Sequence, residues 1–123
     1  MKGIAFLFVL TGALAVTIGM AWGIKMSMDA DFTLSAAHAH LNLIGFVVMT
    51  IYGFYYHMVP AAAEKMLAKI HYVVALAGVV IIVPGIVQAI QETGETLAKV
   101  GSTLVLAGML IFVVTILTNR AQD

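Results

Sequence analysis

Residues 35–60 read SAAHAHLNLIGFVVMTIYGFYYHMVP, and this stretch decides the fold. Three of the chain's four histidines lie in it, His38 and His40 at the front and His57 at the back. Between His40 and His57 no residue carries a charge. About 20 helical residues cross the ~30 Å hydrocarbon layer of a bilayer. The stretch is therefore predicted to be one membrane-crossing helix, over 38–59, with imidazoles near both ends.

Working outward, three more apolar runs have spanning length: residues 4–24, 70–90 and 97–117. The 123 residues are 63% hydrophobic and 10% charged, with a mean hydropathy of +1.08. That is too apolar for a soluble domain. Short connections make sequential helices antiparallel neighbours. The expectation is all-α: one domain over 1–123, an integral membrane antiparallel four-helix bundle. Lys2 followed by Ala13-Leu14-Ala15 has the look of a cleavable leader, but the apolar run continues unbroken to Ile24.

Composition excludes several classes of function. The formal net charge is zero, with no basic tract, so nucleic acid is not an expected partner. With no cysteine there is no thiolate metal site, iron–sulfur cluster or thiol nucleophile. The single Asp, Glu, Lys or Arg inside a predicted span is Lys99, at the very start of the 97–117 run, and none lies at mid-membrane depth, which argues against an ion-translocating pump. Lys2, Lys65, Lys69 and Arg120 fall on one side of the bundle, and Lys25 and Lys99 on the other. The excess predicts both termini on the cytoplasmic side. Asp29 and Asp31 in the outer loop read as a solvated edge, and Thr33 or Ser35 as a cap for the second helix.

Glycines recur in pairs at two-turn spacing: Gly12/Gly19, Gly45/Gly53, Gly78/Gly85 and Gly101/Gly108. Each pair lies on one helix face, and small faces let helices approach closely in lipid. A second use would be to leave room for a flat cofactor. Pro84 predicts a kink in the third helix, and Pro60 ends the second.

The histidines carry the chemistry. His38 and His40 are two apart, about 200° on a helix, so they point to nearly opposite faces. The His38 face continues through Asn42, Gly45, Met49, Tyr52/Gly53 and Tyr56, a stripe of small and polar residues. The His40 face continues through Leu43/Ile44, Val47, Ile51 and Phe54/Tyr55, apolar and bulky. On this reading His38 is better placed for a packed cofactor, with Gly45 leaving space two turns below. His57 and His71 lie on adjacent helices at the other end. They are expected in solvated or capping roles, with a second haem, copper or zinc site between them as the alternative. Tyr52, Tyr55, Tyr56 and Tyr72 are expected to form an interfacial belt, with a quinone pocket as the alternative.

The central stretch resembles subunit I of the haem-copper oxidases and the related nitric oxide reductases. The resemblance rests on Ala37-His38-Ala39, Gly53-Phe54 and Val59-Pro60. It covers mainly residues 3–60. It implies that His38, or His40 with a small register shift, is an axial ligand of a low-spin haem. A later, copper-ligating helix of the same family fits His40-Leu41-Asn42 and Gly45-Phe46 about as well. The His-His pair which that family carries on its next helix is missing, since Pro84-Gly85-Ile86-Val87 stands there. The second low-spin ligand is missing too. The resemblance therefore implies a minimal b-type cytochrome of a bacterial cytoplasmic membrane. It would be a homodimer or larger oligomer, hold haem b at His38 or His40, and exchange electrons with a quinone or redox protein. The alternatives are a non-catalytic accessory or assembly subunit of a respiratory oxidase, and a copper-handling membrane protein.

Overall fold

The computed structural model describes residues 1–120. They form four long helices: α1 (Gly3–Asp29), α2 (Ser35–Met58), α3 (Met66–Ile90) and α4 (Thr96–Thr118). There is no strand among the described residues. Each helix is long and apolar enough to cross a membrane, and the chain is an integral membrane bundle. The helices run past the apolar runs on which they were predicted. Thus α1 carries Lys25 and Asp29 in its last turns, where they form an exposed pair at 2.8 Å.

Helix ends follow local chemistry. α1 closes on Ala30 in the left-handed region (φ 50), whose N–H reaches the carbonyls of Met26 and Ser27. Neither Thr33 nor Ser35 caps α2, contrary to expectation. The cap position is Leu34, and Thr33 instead donates its N–H (3.0 Å) and its hydroxyl (2.6 Å) to Asp31. Those two donors hold the exposed Asp31 carboxyl below its usual range. α2 stops at Met58 because Val59, which precedes Pro60, leaves the helical region (φ −124, ψ 72). Pro60 then starts a single turn, Pro60–Ala63. α3 runs on through Pro84 as one helix, so the predicted kink does not divide it.

The middle of α2 departs from the regular α-helix that the sequence reading assumed. Leu41–Val48 is π-helical over eight residues. Such turns usually come singly and gather at functional sites. Here they separate the His38–His40 end from the Tyr52–Tyr56 end.

Two antiparallel hairpins make the bundle. In α1–α2, Gly12 meets Phe46 and Thr50, Gly19 meets Asn42, and Gly23 meets His38. In α3–α4, Gly78 meets Leu104 and Val105, Gly85 meets Leu97 and Ala98, and Gly101 meets Ile82. The paired glycines are thus the crossing points of the helices. The hairpins join through Gly45 of α2 against Val79 of α3, and through an aromatic cluster lower down.

Candidate functional site

Two polar centres lie at opposite ends of α2. The first is built by His38, Asn42 and Trp22. The His38 ring fills the notch at Gly23, where an added methyl would sit 3.1 Å from its Cε1. Trp22 packs edge-on against it, with ring centroids 5.9 Å apart. Asn42 Nδ2 stands 3.5 Å from His38 Nε2, a long and weak hydrogen bond. His38 Nδ1 and Asn42 Oδ1 are buried without a partner. The Asn42 amide oxygen lies against Gly19, and Thr50 Oγ1, also unpartnered, lies 2.5 Å from the methyl position of Gly12. In both cases the missing side chain lets a glycine Cα–H face an oxygen that has no other donor, a weak but favourable contact between close helices. Three glycines of α1 therefore receive three polar side chains of α2.

This packing corrects the expectation that Gly45 leaves space for a cofactor beside His38. A methyl at Gly45 would meet Ala15 at 3.1 Å and Leu41 and Val79 at 3.3 Å, so the notch is filled by protein. Met49, on the same stripe, is buried in the core at 1% exposure. The stripe from His38 through Tyr56 is the face α2 packs inward.

Gly19→Ala should be costly. The new methyl occupies the place of the Asn42 amide, and overpacking of this kind costs about 1–3 kcal/mol. Adding Asn42→Ala should recover most of the loss, read as thermal unfolding of the detergent-solubilised protein. A double variant no better than Gly19→Ala would show that the notch is not built for Asn42.

His40 is placed differently. Its Nδ1 is 2.7 Å from the Ala36 carbonyl oxygen. A carbonyl only accepts, so Nδ1 carries the proton and donates. Nε2 then bears the lone pair of the neutral ring, is not enclosed, and makes no hydrogen bond. Below it on the same helix, Leu43, Val47, Ile51 and Phe54 are exposed.

The second centre corrects the expectation for His71 and the tyrosine belt. His71 is not solvated but wholly buried, at 0% exposure. Its Nδ1 is 2.8 Å from the Tyr56 hydroxyl. The phenol is the stronger proton donor of the two, so its O–H donates to Nδ1 and the imidazole proton sits on Nε2. Nε2 has no hydrogen-bond partner, although the Gly108 backbone of α4 faces the ring. All four helices contribute to the surrounding aromatic cluster. Phe8 stacks on Tyr56 (5.6 Å), Tyr52 meets the imidazole edge-on (4.3 Å), and Phe112 stacks on it (6.0 Å). Tyr52 and Tyr56 are core residues at 3% and 1% exposure, not an interfacial belt. Tyr72 reaches Thr11 Oγ1 at 2.7 Å, which ties α3 to α1.

His57, by contrast, is exposed at the end of α2, so it and His71 occupy different surroundings. Among the described residues no group of three histidine or carboxylate side chains converges on one point. Fold and site together define a membrane four-helix bundle with an outward imidazole at one end and a buried imidazole–phenol pair at the other. Searches against protein families, characterised proteins and solved structures find no match.

Proposed function

We propose that this protein is a minimal membrane b-type cytochrome that holds haem between the α2 helices of two copies and passes electrons. The observation that carries the reading is the His40 ring. Its Nδ1–H is held by the Ala36 carbonyl at 2.7 Å, which fixes the tautomer and the ring plane and turns the Nε2 lone pair away from its own helix. Metal-binding imidazoles are oriented in this way. His38 is the weaker candidate, because Gly23, Trp22 and Asn42 enclose it. At this end of the bundle one copy offers one free imidazole, so a bis-imidazole haem takes its second ligand from His40 of a two-fold related copy. Leu43, Val47, Ile51 and Phe54 give the apolar surface on which the porphyrin would lie and keep water from it. When bound, haem supplies one-electron chemistry at its iron.

The resemblance to oxidase subunit I supports a haem at this end of α2; it assigns the ligand to His38, or to His40 with a small register shift. Lys2, Lys65, Lys69 and Arg120 at one end, against Lys25 and Lys99 at the other, support cytoplasmic termini in a bacterial membrane.

The test is expression with haem supplied, followed by an absorption spectrum of the purified protein. A sharp Soret band is expected, lost in His40→Ala and kept in His38→Ala. Loss in His38→Ala alone would move the ligand to His38. A colourless wild type would overturn the reading. Bound copper or zinc in that preparation would then indicate a metal-handling protein, and metal-free protein co-purifying with an oxidase an accessory subunit.

A further inference from the structure

At the end of the bundle opposite His40, the start of α1 and the turn after α2 line an open-sided cavity of about 550 Å³. Its size is within the range of small-molecule sites. Ile4, Pro60 and Ala63 give it apolar walls, and Lys2, His57 and Glu64 give it polar ones. Tyr56 closes the inner side. It is 1% exposed and its hydroxyl is committed to His71, so the aromatic core seals the floor.

Lys2 and Glu64 line this one cavity with opposite charges, yet they do not pair with each other. The ion pairs among the described residues are Lys25–Asp29 and Glu95–Lys99, both at the far end. Among the described residues neither Lys2, His57 nor Glu64 makes a side-chain hydrogen bond, whereas the neighbouring Lys65 is occupied by Asn119 at 2.7 Å. Helix ends place the cavity where lipid headgroups lie. A ligand that fits carries an anion for Lys2 and His57, a hydrogen-bonding cation for Glu64, and an apolar body.

We propose that this cavity binds a phospholipid whose headgroup pairs a phosphodiester with a primary ammonium, as in phosphatidylethanolamine. Lys2 and His57 take the phosphate oxygens, and the Glu64 carboxylate accepts from the ammonium. A trimethylated ammonium has no N–H to donate there. A purely anionic headgroup leaves Glu64 unanswered and meets its charge. The apolar walls select the lipid over its water-soluble headgroup.

Native mass spectrometry of the full chain, delipidated in detergent and carrying no N-terminal tag, tests this without reference to haem. Phosphatidylethanolamine, phosphatidylcholine and phosphatidylglycerol are added at equal concentration. The ethanolamine lipid should be retained about tenfold better than the other two, the factor a charge-assisted hydrogen bond supplies. Glu64→Gln should bring it down to the phosphatidylcholine level, and Lys2→Gln should weaken binding of both. Unfolding temperatures of the two variants establish that they are folded. Equal or better retention of phosphatidylglycerol would overturn the proposal, as would a preference unchanged in Glu64→Gln. Displacement by glycerophosphoethanolamine at equal concentration would show a soluble ligand instead of a lipid. The haem reading stands or falls separately, on the Soret band.

Discussion

Gly101→Ala and Gly85→Ala should each destabilise the bundle by about 2–3 kcal/mol or prevent its assembly, while Gly108→Ala should be close to neutral. The three changes add the same methyl to the α3–α4 hairpin, so the contrast isolates packing. At Gly101 the methyl would sit 2.5 Å from Ile82 Cα and 2.6 Å from Ile82 N. At Gly85 it would sit 2.5 Å from Ala98 N and 2.6 Å from Leu97 C. These are backbone atoms, which no change of rotamer can move. The helices must separate at both crossings, and lipid offers no hydrophobic drive to pull them together again. What is lost is dispersion contact along the whole seam, on the scale of overpacked cores. At Gly108 the nearest atoms, Ala75 Cα and Cβ, lie at 3.6 and 3.7 Å, an ordinary contact. There the gain in helix propensity, up to about 1 kcal/mol, meets no clash. Detergent-induced unfolding followed by circular dichroism gives the three values. If Gly101→Ala unfolds no more readily than Gly108→Ala, the α3–α4 crossing does not depend on glycine.

The four spans were legible because apolar length is a direct consequence of bilayer thickness, and no tertiary contact is needed to read it. The inward face of α2 was legible for a similar reason. Asn42, Gly45, Met49 and Tyr56 recur at helical spacing, and all four pack inward. What the glycines do was harder to read. A glycine stripe says that something comes close, and only the partner helix shows that Gly19 and Gly23 receive Asn42 and His38. The role of His40 turns on one hydrogen bond to the carbonyl four residues earlier, which any helical histidine can make and which composition does not signal. The π-helical course of Leu41–Val48 leaves no mark either. His71 was misplaced because its neighbours in sequence, Lys69 and Tyr72, read as a membrane boundary. Tertiary packing against Phe8, Tyr52 and Phe112 draws its ring into the core.

That buried ring gives the second large effect. Tyr56→Phe removes the donor at 2.8 Å and leaves both nitrogens of His71 without a partner in an apolar cluster. An orphaned buried polar group costs about 1–3 kcal/mol, and the bundle should lose that much. His71→Ala should cost more, about 2–5 kcal/mol, because a cavity opens among Phe8, Tyr52 and Phe112 as well. His71→Leu keeps most of the volume but leaves the Tyr56 hydroxyl without its acceptor, so it too should be destabilised. The decisive variant is the pair, Tyr56→Phe with His71→Leu. It removes both polar partners together and fills the space with apolar atoms, an exchange that is nearly neutral when shapes match. The double variant should therefore be more stable than the sum of the two single losses, with a coupling of about 1–2 kcal/mol in a double-mutant cycle. Losses that simply add would mean that the phenol and the imidazole do not depend on each other. The Soret band should persist in every one of these variants, because His40 lies beyond the π-helical segment at the other end of α2. Its loss in Tyr56→Phe would place the haem ligand in this cluster and not at His40.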